Sequence, residues 1–554
     1  MLVCSREISR VIKLIVIITA LDAKIEQIPY KGGSRFSPQK GCLPGTRVAF
    51  LDFIVNWVNN PVSERSLVLF GLAGTGKSSI AHEIARRFNQ MRRLSSSFMF
   101  VRKEQSKTEA YHFFTNLARD LADRYPLFKT ALGKVVKDNT ALRLARDYGT
   151  LFQYLIQEPL KDLPIVGPIL IVIDALDESG DVTGEDGLHR FLATNLSELP
   201  SNFRVLITSR PEDGIESAFH AAKSVIIKHM NDLELAATTH QDILTFLRKR
   251  LSSEVCEEYG EALARRAEGL FQWAEVACGY IQEPKPVRNR RARIEHLLNS
   301  AADHHGQDPL NKLYSGVLEE YFTDEEAQGL FRSVVGQLLA AFEPLSIVSL
   351  TTLRRHDDDS DSVVETLRYL GSLLSNVTSS DDTLPIVPLH TSFRDFVTNE
   401  RNSGAFYVDL RVAHHQLAHF CLSLVLDDLK FNICGLESSY FANKDVEDLE
   451  MRISEHLPPA LSYACRFWDD HLENLDFETD LFGKLRTFFE KKFLFWLEAL
   501  SLISDVGLAS PALSSLRAWT ASGQSVSIIC LFDEEGEQLI FPVAADSSNR
   551  ARGI

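Results

Sequence analysis

Residues 71–78 read GLAGTGKS and contain three glycines, a lysine and a serine at the spacing of a phosphate-binding loop. In this G-x-x-x-x-G-K-[ST] pattern, the glycines let backbone N–H groups turn inward around a polyphosphate. The Lys77 ammonium can reach the β- and γ-phosphates, and the Ser78 hydroxyl can ligate Mg2+. We therefore predict a site for a nucleoside triphosphate or diphosphate at Gly71, Leu72, Ala73, Gly74, Thr75, Gly76, Lys77, Ser78 and Ser79.

Acidic residues follow an apolar run further along the chain. Residues 169–173 are all aliphatic, and Asp174, Asp177 and Glu178 come directly after them. A buried strand that ends in Asp174 would bring its carboxylate to the carboxyl edge of a sheet, where it can hold Mg2+ through water beside Ser78. Asp177 and Glu178 are candidates to orient or deprotonate an attacking water. The alternative is a core strand with surface acids at its end.

A single cation follows another apolar run. Residues 205–208 read VLIT and lead into Ser209, Arg210 and Pro211. A guanidinium at such a strand end can reach the γ-phosphate and distinguish a triphosphate from a diphosphate. The alternative is an ordinary surface arginine beside a turn-forming proline.

The phosphate loop, the acidic residues and Arg210 can form one site only if a sheet brings the ends of their strands together. Five apolar runs with β-branched or aromatic content are found at residues 66–70, 97–101, 169–173, 204–208 and 224–228, and a helix is predicted from Ser79 to Phe88. Continuous apolar strands that alternate with helices predict an α/β fold, a parallel sheet with helices on both faces. The phosphate loop then lies between the first strand and its helix.

The chain after Asp232 has a different pattern. Amphipathic stretches at residues 242–251, 261–281, 311–321, 412–429 and 481–503 predict a mainly helical C-terminal half. A helix is predicted to open at Pro344, and residues 384–389 are predicted to form a short strand. Helices with a small β element suggest a winged-helix module, and residues 525–546 are expected to hold two strands.

Composition limits the classes of protein that remain. With 554 residues and a net charge of -16, several domains are expected and a general affinity for nucleic acid is not. The eight cysteines include no C-x-x-C pair and give neither a zinc array nor a disulfide framework. The apolar residues 14–21 are too few to span a bilayer and should form a packed helix or strand. No stable membrane insertion is expected, and a reducing cytoplasm is the expected location.

One histidine pair has the spacing of a metal-binding helix. His415 and His419 are four residues apart, but Gln416 occupies the position where a metalloprotease needs its general-base glutamate. We interpret this stretch as a helix surface.

Several of these motifs together resemble the signal-transduction ATPases with numerous domains (STAND), specifically the NACHT branch and fungal proteins with a nephrocystin-like N-terminal P-loop domain. The resemblance rests on the phosphate loop, the DALDE cluster at residues 174–178 and the TSRP run at residues 208–211. It extends to the lead-in at residues 42–47, to GLFQWA at residues 269–274, to Pro344-Leu345-Ser346 and to LHTSFRDF at residues 389–396. It covers roughly residues 40 to 510.

The resemblance implies a domain order and one further site residue. Together with the sequence patterns, it predicts an N-terminal segment (1–41), a NACHT-like P-loop domain (42–231), a helical domain (232–321), a winged-helix-like domain (322–399), a C-terminal helical domain (400–520) and a tail (521–554). It also implies that His390 contacts the β-phosphate of bound ADP and holds an inactive state closed. A core histidine is the alternative. The preference for ATP over GTP comes from the family alone.

Three functions fit these observations. The leading hypothesis is a signalling switch operated by ATP, ADP and Mg2+, with slow hydrolysis, interdomain rearrangement and protein partners that include further copies of the chain. The second is an interaction scaffold that nucleotide stabilises without being hydrolysed. The third is a continuously cycling mechanochemical ATPase, for which no trans-acting arginine motif is evident.

Overall fold

The computed structural model describes residues 35–544 apart from 101–109, 139–141, 143–144, 162, 164–166, 181–186, 283–288, 300–307, 358–359, 439–441, 523–525 and 533–537. The apolar residues 14–21 and most of the N-terminal segment 1–41 lie outside the described residues. The chain divides into two compact units, the first ending at Cys278 and the second beginning at Gly279. The finer domain boundaries stay predictions.

A five-stranded parallel sheet forms the centre of the first unit. Its strands are β1 (Ser66–Phe70), β2 (Leu94–Met99), β3 (Ile169–Asp174), β4 (Phe203–Ser209) and β5 (Val225–His229), in the spatial order β2-β3-β4-β1-β5. All four pairings are parallel, so the carboxyl ends of the strands meet at one edge. The predicted α/β fold is confirmed. Strand β2 lies two or three residues earlier than predicted because its pairing with β3 begins at Leu94.

Both faces of the sheet are covered, as the apolar runs predict. Val68 and Phe70 pack into one hydrophobic cluster, whereas their neighbours Leu67 and Leu69 pack into the other. Alternate residues of a strand point to opposite faces, so burial of both sets requires a helical layer on each side. Helix Lys77–Gln90 contributes to the second of these clusters through Ile80, Ile84 and Phe88.

Three predicted helices of the first unit differ from the observed ones, and the largest difference is at helix Leu233–Arg250, which begins nine residues before the predicted stretch 242–251. The helix after the phosphate loop starts two residues earlier than predicted, at Lys77. Residues 261–281 form parts of two helices, because Glu268 and Gly269 both have a positive φ and end the first of them. The helices are Val48–Asn59, Lys77–Gln90, His112–Arg124, Pro126–Asp138, Tyr148–Leu151, Glu158–Leu160, Leu188–Asn195, Asp213–Ala221, Leu233–Arg250, Ser253–Arg266 and Phe271–Gln282.

The second unit is mainly helical, as predicted. Its helices are Arg290–Asn299, Pro309–Tyr321, Glu325–Ala340, Ile347–Leu353, Ser360–Tyr369, Thr391–Val397, Glu400–Ser403, Leu410–Asp428, Leu449–His456, Pro459–Leu472, Thr479–Lys491, Phe493–Leu502 and Ala509–Ser522. Residues 481–503 are not one helix, because Lys492 leaves helical geometry with a φ of -125 and a ψ of -10. The two C-terminal strands are confirmed as the antiparallel pair β6 (Val526–Phe532) and β7 (Gln538–Ala544).

Two predictions for the winged-helix region need correction. The helix expected at Pro344 begins at Ile347, because the Ser346 hydroxyl caps it by accepting the Ser349 N–H at 3.1 Å. Residues 384–389 form no named strand and contribute two isolated bridges, Ser346 to Pro385 and Leu374 to Pro388. Prolines at both bridges cannot donate a backbone hydrogen bond, which keeps the ladder from extending.

Asp469 makes the stability of the second unit dependent on pH. It lies on helix Pro459–Leu472 and is 7% exposed, and burial together with Asp470 raises its pKa to about 7. The folded chain therefore keeps a proton that the unfolded chain releases near pH 4, so the free energy of unfolding should fall as pH rises from about 4 to about 7 and then level.

The substitution Asp469→Asn should remove the part of that fall that comes from Asp469, while Asp470, whose pKa burial and Glu473 raise to about 6, should keep the rest. At pH 8 the variant should exceed the parent by up to about 4 kcal/mol, and at pH 4 the two should be equal. Urea titrations across this pH range measure the difference. A parent chain whose stability does not decline between pH 4 and 7 would contradict the assignment.

Within the described ranges, no helix combines the length and the apolar character that crossing a bilayer requires.

Candidate functional site

The phosphate loop joins β1 to helix Lys77–Gln90 at the carboxyl edge of the sheet. Gly74 and Gly76 have φ values of 79° and 91°, which residues with a side chain rarely adopt, so both positions favour glycine. A Cβ atom on Gly71 would stand 2.6 Å from Met230 Cγ, which leaves no room for a side chain there. Leu72, Ala73 and Thr75 complete the loop, and Ser79 lies in the first turn of the helix.

The Lys77 ammonium is folded onto its own loop. Its Nζ donates to the carbonyl oxygen of Gly71 at 2.6 Å and to that of Leu72 at 3.0 Å. Burial lowers the pKa of Lys77 to about 8, and the nearby carboxylates of Asp177 and Asp174 oppose this shift. A buried ammonium with two carbonyl partners is ready to exchange them for phosphate oxygens, which carry full charge.

Ser78 and Asp174 lie together, as the strand-end argument predicts. The Asp174 carboxylate, at the end of β3, is 4% exposed and accepts hydrogen bonds from Thr208 Oγ1 and from the Ser78 hydroxyl. Burial raises the pKa of Asp174, while those two hydrogen bonds and the Lys77 charge oppose the rise. Thr208 Oγ1 also accepts the Ala175 N–H at 3.0 Å, which fixes the backbone just after Asp174.

A hydroxyl and a carboxylate in hydrogen-bond contact fit a magnesium ion by their chemistry. Both are hard oxygen donors, which Mg2+ prefers, and both lie at the edge where the phosphate loop would hold a polyphosphate. Ser78 is exposed at this edge. The residues present therefore fit the predicted ion.

Arg210 is paired with Asp177. Arg210 Nε lies 3.1 Å from Asp177 Oδ2 in an ion pair, and the Arg210 backbone N–H donates to Asp177 Oδ1 at 2.9 Å. Their side chains are 24% and 5% exposed, so the pair is largely shielded from water. Glu178, next in the chain, is half-buried. The structure thus brings the two predicted residues into direct contact, which their spacing of 33 positions does not reveal.

A second arginine, which the sequence patterns did not predict, contacts the phosphate loop from a neighbouring segment. Arg47 is 4% exposed, and its Nη2 donates to the Thr75 carbonyl at 3.1 Å while its Nη1 donates to Thr239 Oγ1 at 2.6 Å. The Gln272 N–H donates to the Gly74 carbonyl at 3.1 Å. Residue types alone cannot predict these contacts, although Arg47 and Gln272 belong to stretches that carry the family resemblance.

His390 belongs to the second unit, where it caps helix Thr391–Val397. Its Nδ1 accepts the Ser392 N–H at 3.1 Å and lies 2.7 Å from Ser392 Oγ, which in turn is 2.8 Å from the Tyr314 hydroxyl. Because a backbone N–H donates to Nδ1, a neutral ring carries its proton on Nε2. The predicted phosphate contact of His390 stays a prediction.

Comparison with known proteins agrees with this geometry. Residues 48–210 match the family model described as nephrocystin 3, N-terminal, which spans the phosphate loop, Asp174 and Arg210. The chain is 26% identical over 399 residues to the vegetative incompatibility protein HET-E-1 of Podospora anserina. The predicted resemblance to fungal NACHT-type proteins with a nephrocystin-like N-terminal P-loop domain is confirmed.

The extent of the matches differs between the compared proteins. The aligned part makes up 65% of this chain and 27% of HET-E-1, so the chain spans about a quarter of that relative. Among solved structures, a STAND protein with a tetratricopeptide repeat sensor from Pyrococcus horikoshii is 16% identical, with a TM-score of 0.38. That similarity covers 90% of this chain and 69% of that chain. The fold assignment therefore rests on the sheet itself.

Proposed function

We propose that this chain is a signalling switch operated by ATP and ADP, with slow ATP hydrolysis. The observation that carries the proposal is the internal pairing of both predicted phosphate-binding cations. Lys77 donates to its own loop, and Arg210 pairs with Asp177. A switch requires that its ligands make different contacts in two states of the protein. The ion pair between Arg210 and Asp177 meets this requirement, because only a triphosphate would replace it.

The two cations would respond to different phosphates. Lys77 would exchange the Gly71 and Leu72 carbonyls for β-phosphate oxygens of either nucleotide. Arg210 would leave Asp177 only for a γ-phosphate, because a diphosphate ends before that position. With ADP, the ion pair between Arg210 and Asp177 would persist.

Asp177 would keep its place when the guanidinium leaves. The Arg210 N–H holds Oδ1 at 2.9 Å, and Ser209 Oγ is 3.4 Å from the same oxygen. Oδ2 would then be released to orient a water for attack on the γ-phosphate. Glu178 is the second candidate for this role. One pair of residues would thus link triphosphate sensing to hydrolysis.

Ser78 and Asp174 would hold Mg2+, the first directly and the second through water. The bound ion would neutralise charge that develops on the β- and γ-phosphate oxygens. Burial raises the pKa of Asp174, and the hydrogen bonds from Thr208 and Ser78 together with the charge of the ion would favour its carboxylate form.

His390 would favour the diphosphate state. Its Nδ1 accepts the Ser392 N–H, so the neutral ring carries Nε2–H, a donor of the type that a β-phosphate oxygen accepts. A bound diphosphate would have to compete with the contacts that His390 already makes. The vegetative incompatibility function named for the fungal relative supports a role in a signalling response. Protein partners, including further copies of the chain, would bind the triphosphate state.

The substitution Arg210→Ala should lower the affinity for ATP and leave the affinity for ADP unchanged. The variant should bind ATP about 10- to 150-fold more weakly, the value of one charge-assisted hydrogen bond, while ADP affinity stays unchanged.

Asp177→Asn should keep the contact with the Arg210 N–H and remove the competing charge, so ATP should bind at least as tightly while hydrolysis falls. Calorimetric titration with both nucleotides and a phosphate-release assay measure these effects.

Arg190→Ala is the matched control, since Arg190 is exposed on helix Leu188–Asn195 of the same unit. Equal losses of ATP and ADP affinity in Arg210→Ala would remove the sensing role. Tight ATP binding without phosphate release in the parent chain would instead support the non-hydrolysing scaffold.

A further inference from the structure

Two histidines and a glutamate meet between two helices of the second unit. His415 and His419 lie one turn apart on helix Leu410–Asp428, with ring centroids 4.6 Å apart. Glu478, which precedes helix Thr479–Lys491, reaches both rings: His415 Nε2 is 2.6 Å from Oε2, and His419 Nε2 is 3.9 Å from Oε1. The helix surface expected for this pair therefore faces a carboxylate from a distant part of the chain.

The spacing of these atoms suits a metal ion. One ligand atom from each of the three residues lies within 4.8 Å of the others. Bonds of about 2.0–2.1 Å to nitrogen and oxygen place tetrahedral ligand atoms roughly 3.4 Å apart, so only small rotations are needed. The side chains of His415 and Glu478 are 43% and 38% exposed, which leaves a path for an ion and room for a water ligand.

His419 has a nitrogen that the protein itself leaves unsatisfied. Its Nε2 is fully buried and has no hydrogen-bond partner among the residues that the structure describes. A buried polar atom without a partner costs free energy. Since this atom points toward Glu478 and the neighbouring His415, a metal ion held there would satisfy it.

The far side of the His419 ring has the groups that support a metal ligand. Asp480 Oδ2 lies 3.6 Å from Nδ1, and metal-bound histidines commonly donate their second N–H to a carboxylate. Lys484 opposes this arrangement, because its ammonium donates to the same Nδ1 at 3.1 Å. Lys484 also donates to Ser423 Oγ at 3.0 Å, so it keeps a partner when it leaves the ring.

Gln416 distinguishes this site from the active site of a metalloprotease. Its side-chain oxygen accepts hydrogen bonds from Gln337 Nε2 at 2.8 Å and from Ser333 Oγ at 3.1 Å, both on helix Glu325–Ala340. It is engaged with a third helix and cannot replace the general base of a metalloprotease. The missing glutamate therefore excludes that hydrolytic chemistry and leaves metal binding open.

We propose that His415, His419 and Glu478 bind one Zn2+ ion, which ties helix Leu410–Asp428 to helix Thr479–Lys491. Two imidazoles and one carboxylate favour Zn2+ over Mg2+ or Ca2+, which prefer oxygen donors throughout. On binding, each imidazole carries its proton on Nδ1 and frees Nε2 for the ion. The His419 Nδ1–H then donates toward Asp480 in place of accepting from Lys484, and His415 Nε2 exchanges its contact with Glu478 for the ion. Water completes the coordination, and the role is structural.

A chromophoric chelator in competition with the purified full chain tests the site, with nucleotide absent. The parent chain should bind one equivalent of Zn2+ tightly enough to raise its melting temperature, whereas Mg2+ should not. His419→Gln and His415→Gln should each weaken binding at least roughly tenfold, since even the loss of an outer partner costs about 10- to 100-fold. Asp480→Asn should weaken it less, and Lys484→Met should strengthen it.

His220→Gln is the matched control. His220 belongs to the other group of possible ligands, with Glu216 and His229, in the first unit. This variant should bind Zn2+ as the parent does. Unchanged stoichiometry and affinity in both His415→Gln and His419→Gln would overturn the proposal, and so would loss of the site in His220→Gln. The Lys484→Met result guards against misfolding, because a gain in affinity requires a folded site.

Discussion

The substitution Lys77→Ala should weaken ATP and ADP binding together. Loss of one partner of a buried charge contact costs about 2–5 kcal/mol, which corresponds to a rise in the dissociation constant of at least roughly 30-fold. Both nucleotides should be affected because Lys77 would contact the phosphate that they share. Calorimetric titration of the purified chain measures the effect directly.

Two controls separate binding from folding. Lys134→Ala removes an exposed lysine from helix Pro126–Asp138 of the same unit and should change nothing. Lys77→Met keeps the aliphatic stem and removes only the ammonium, so it should bind nucleotide as weakly as the alanine variant. ATP affinity that survives in Lys77→Met would sink the assignment of the phosphate loop.

Asp174→Asn should stop hydrolysis while the fold is kept. A residue that holds Mg2+ through water typically contributes about 10- to 100-fold to activity, and we expect a loss of phosphate release in that range or above. The asparagine oxygen still accepts the Thr208 hydroxyl, so β3 and β4 should stay joined. Removal of a buried charge should leave the nucleotide-free melting temperature equal or higher.

The magnesium requirement distinguishes this role from a structural one. ATP affinity of the parent chain should increase when Mg2+ is added, and that increase should shrink in Asp174→Asn. An identical Mg2+ effect in both proteins, or a folded variant that hydrolyses ATP at the parent rate, would contradict the role of Asp174.

The elements that position the site were predictable because their sequence patterns are local. Parallel strands buried on both faces are continuous apolar runs, and β1, β3 and β4 carry the site at their carboxyl ends. The sequence therefore indicated that the phosphate loop, Asp174 and Arg210 would share one edge of the sheet. The predicted helix boundaries were wrong where only one or two residues interrupt or cap a helix, as at Gly269, Ser346 and Lys492.

The contacts within the site could not be predicted in the same way. Asp177 with Arg210, Thr208 with Asp174, and Arg47 with Thr75 join residues 28 to 34 positions apart. Such pairs depend on strand order and on side-chain direction, which leave no periodic pattern in a single sequence. The same holds for Glu478, which lies 63 positions from His415. A helical histidine pair alone gave no sign of its acidic neighbour.

Hydrogen–deuterium exchange of the full chain tests the switch most directly. Exchange would be compared between the ADP-bound form and the form with Mg2+ and a non-hydrolysable ATP analogue, both at saturation. We expect peptides that cover His390 and helix Thr391–Val397 to exchange faster with the analogue, because the diphosphate contact is lost, while β1 and β4 stay equally protected. Identical exchange across the second unit in both forms would contradict a nucleotide-operated switch.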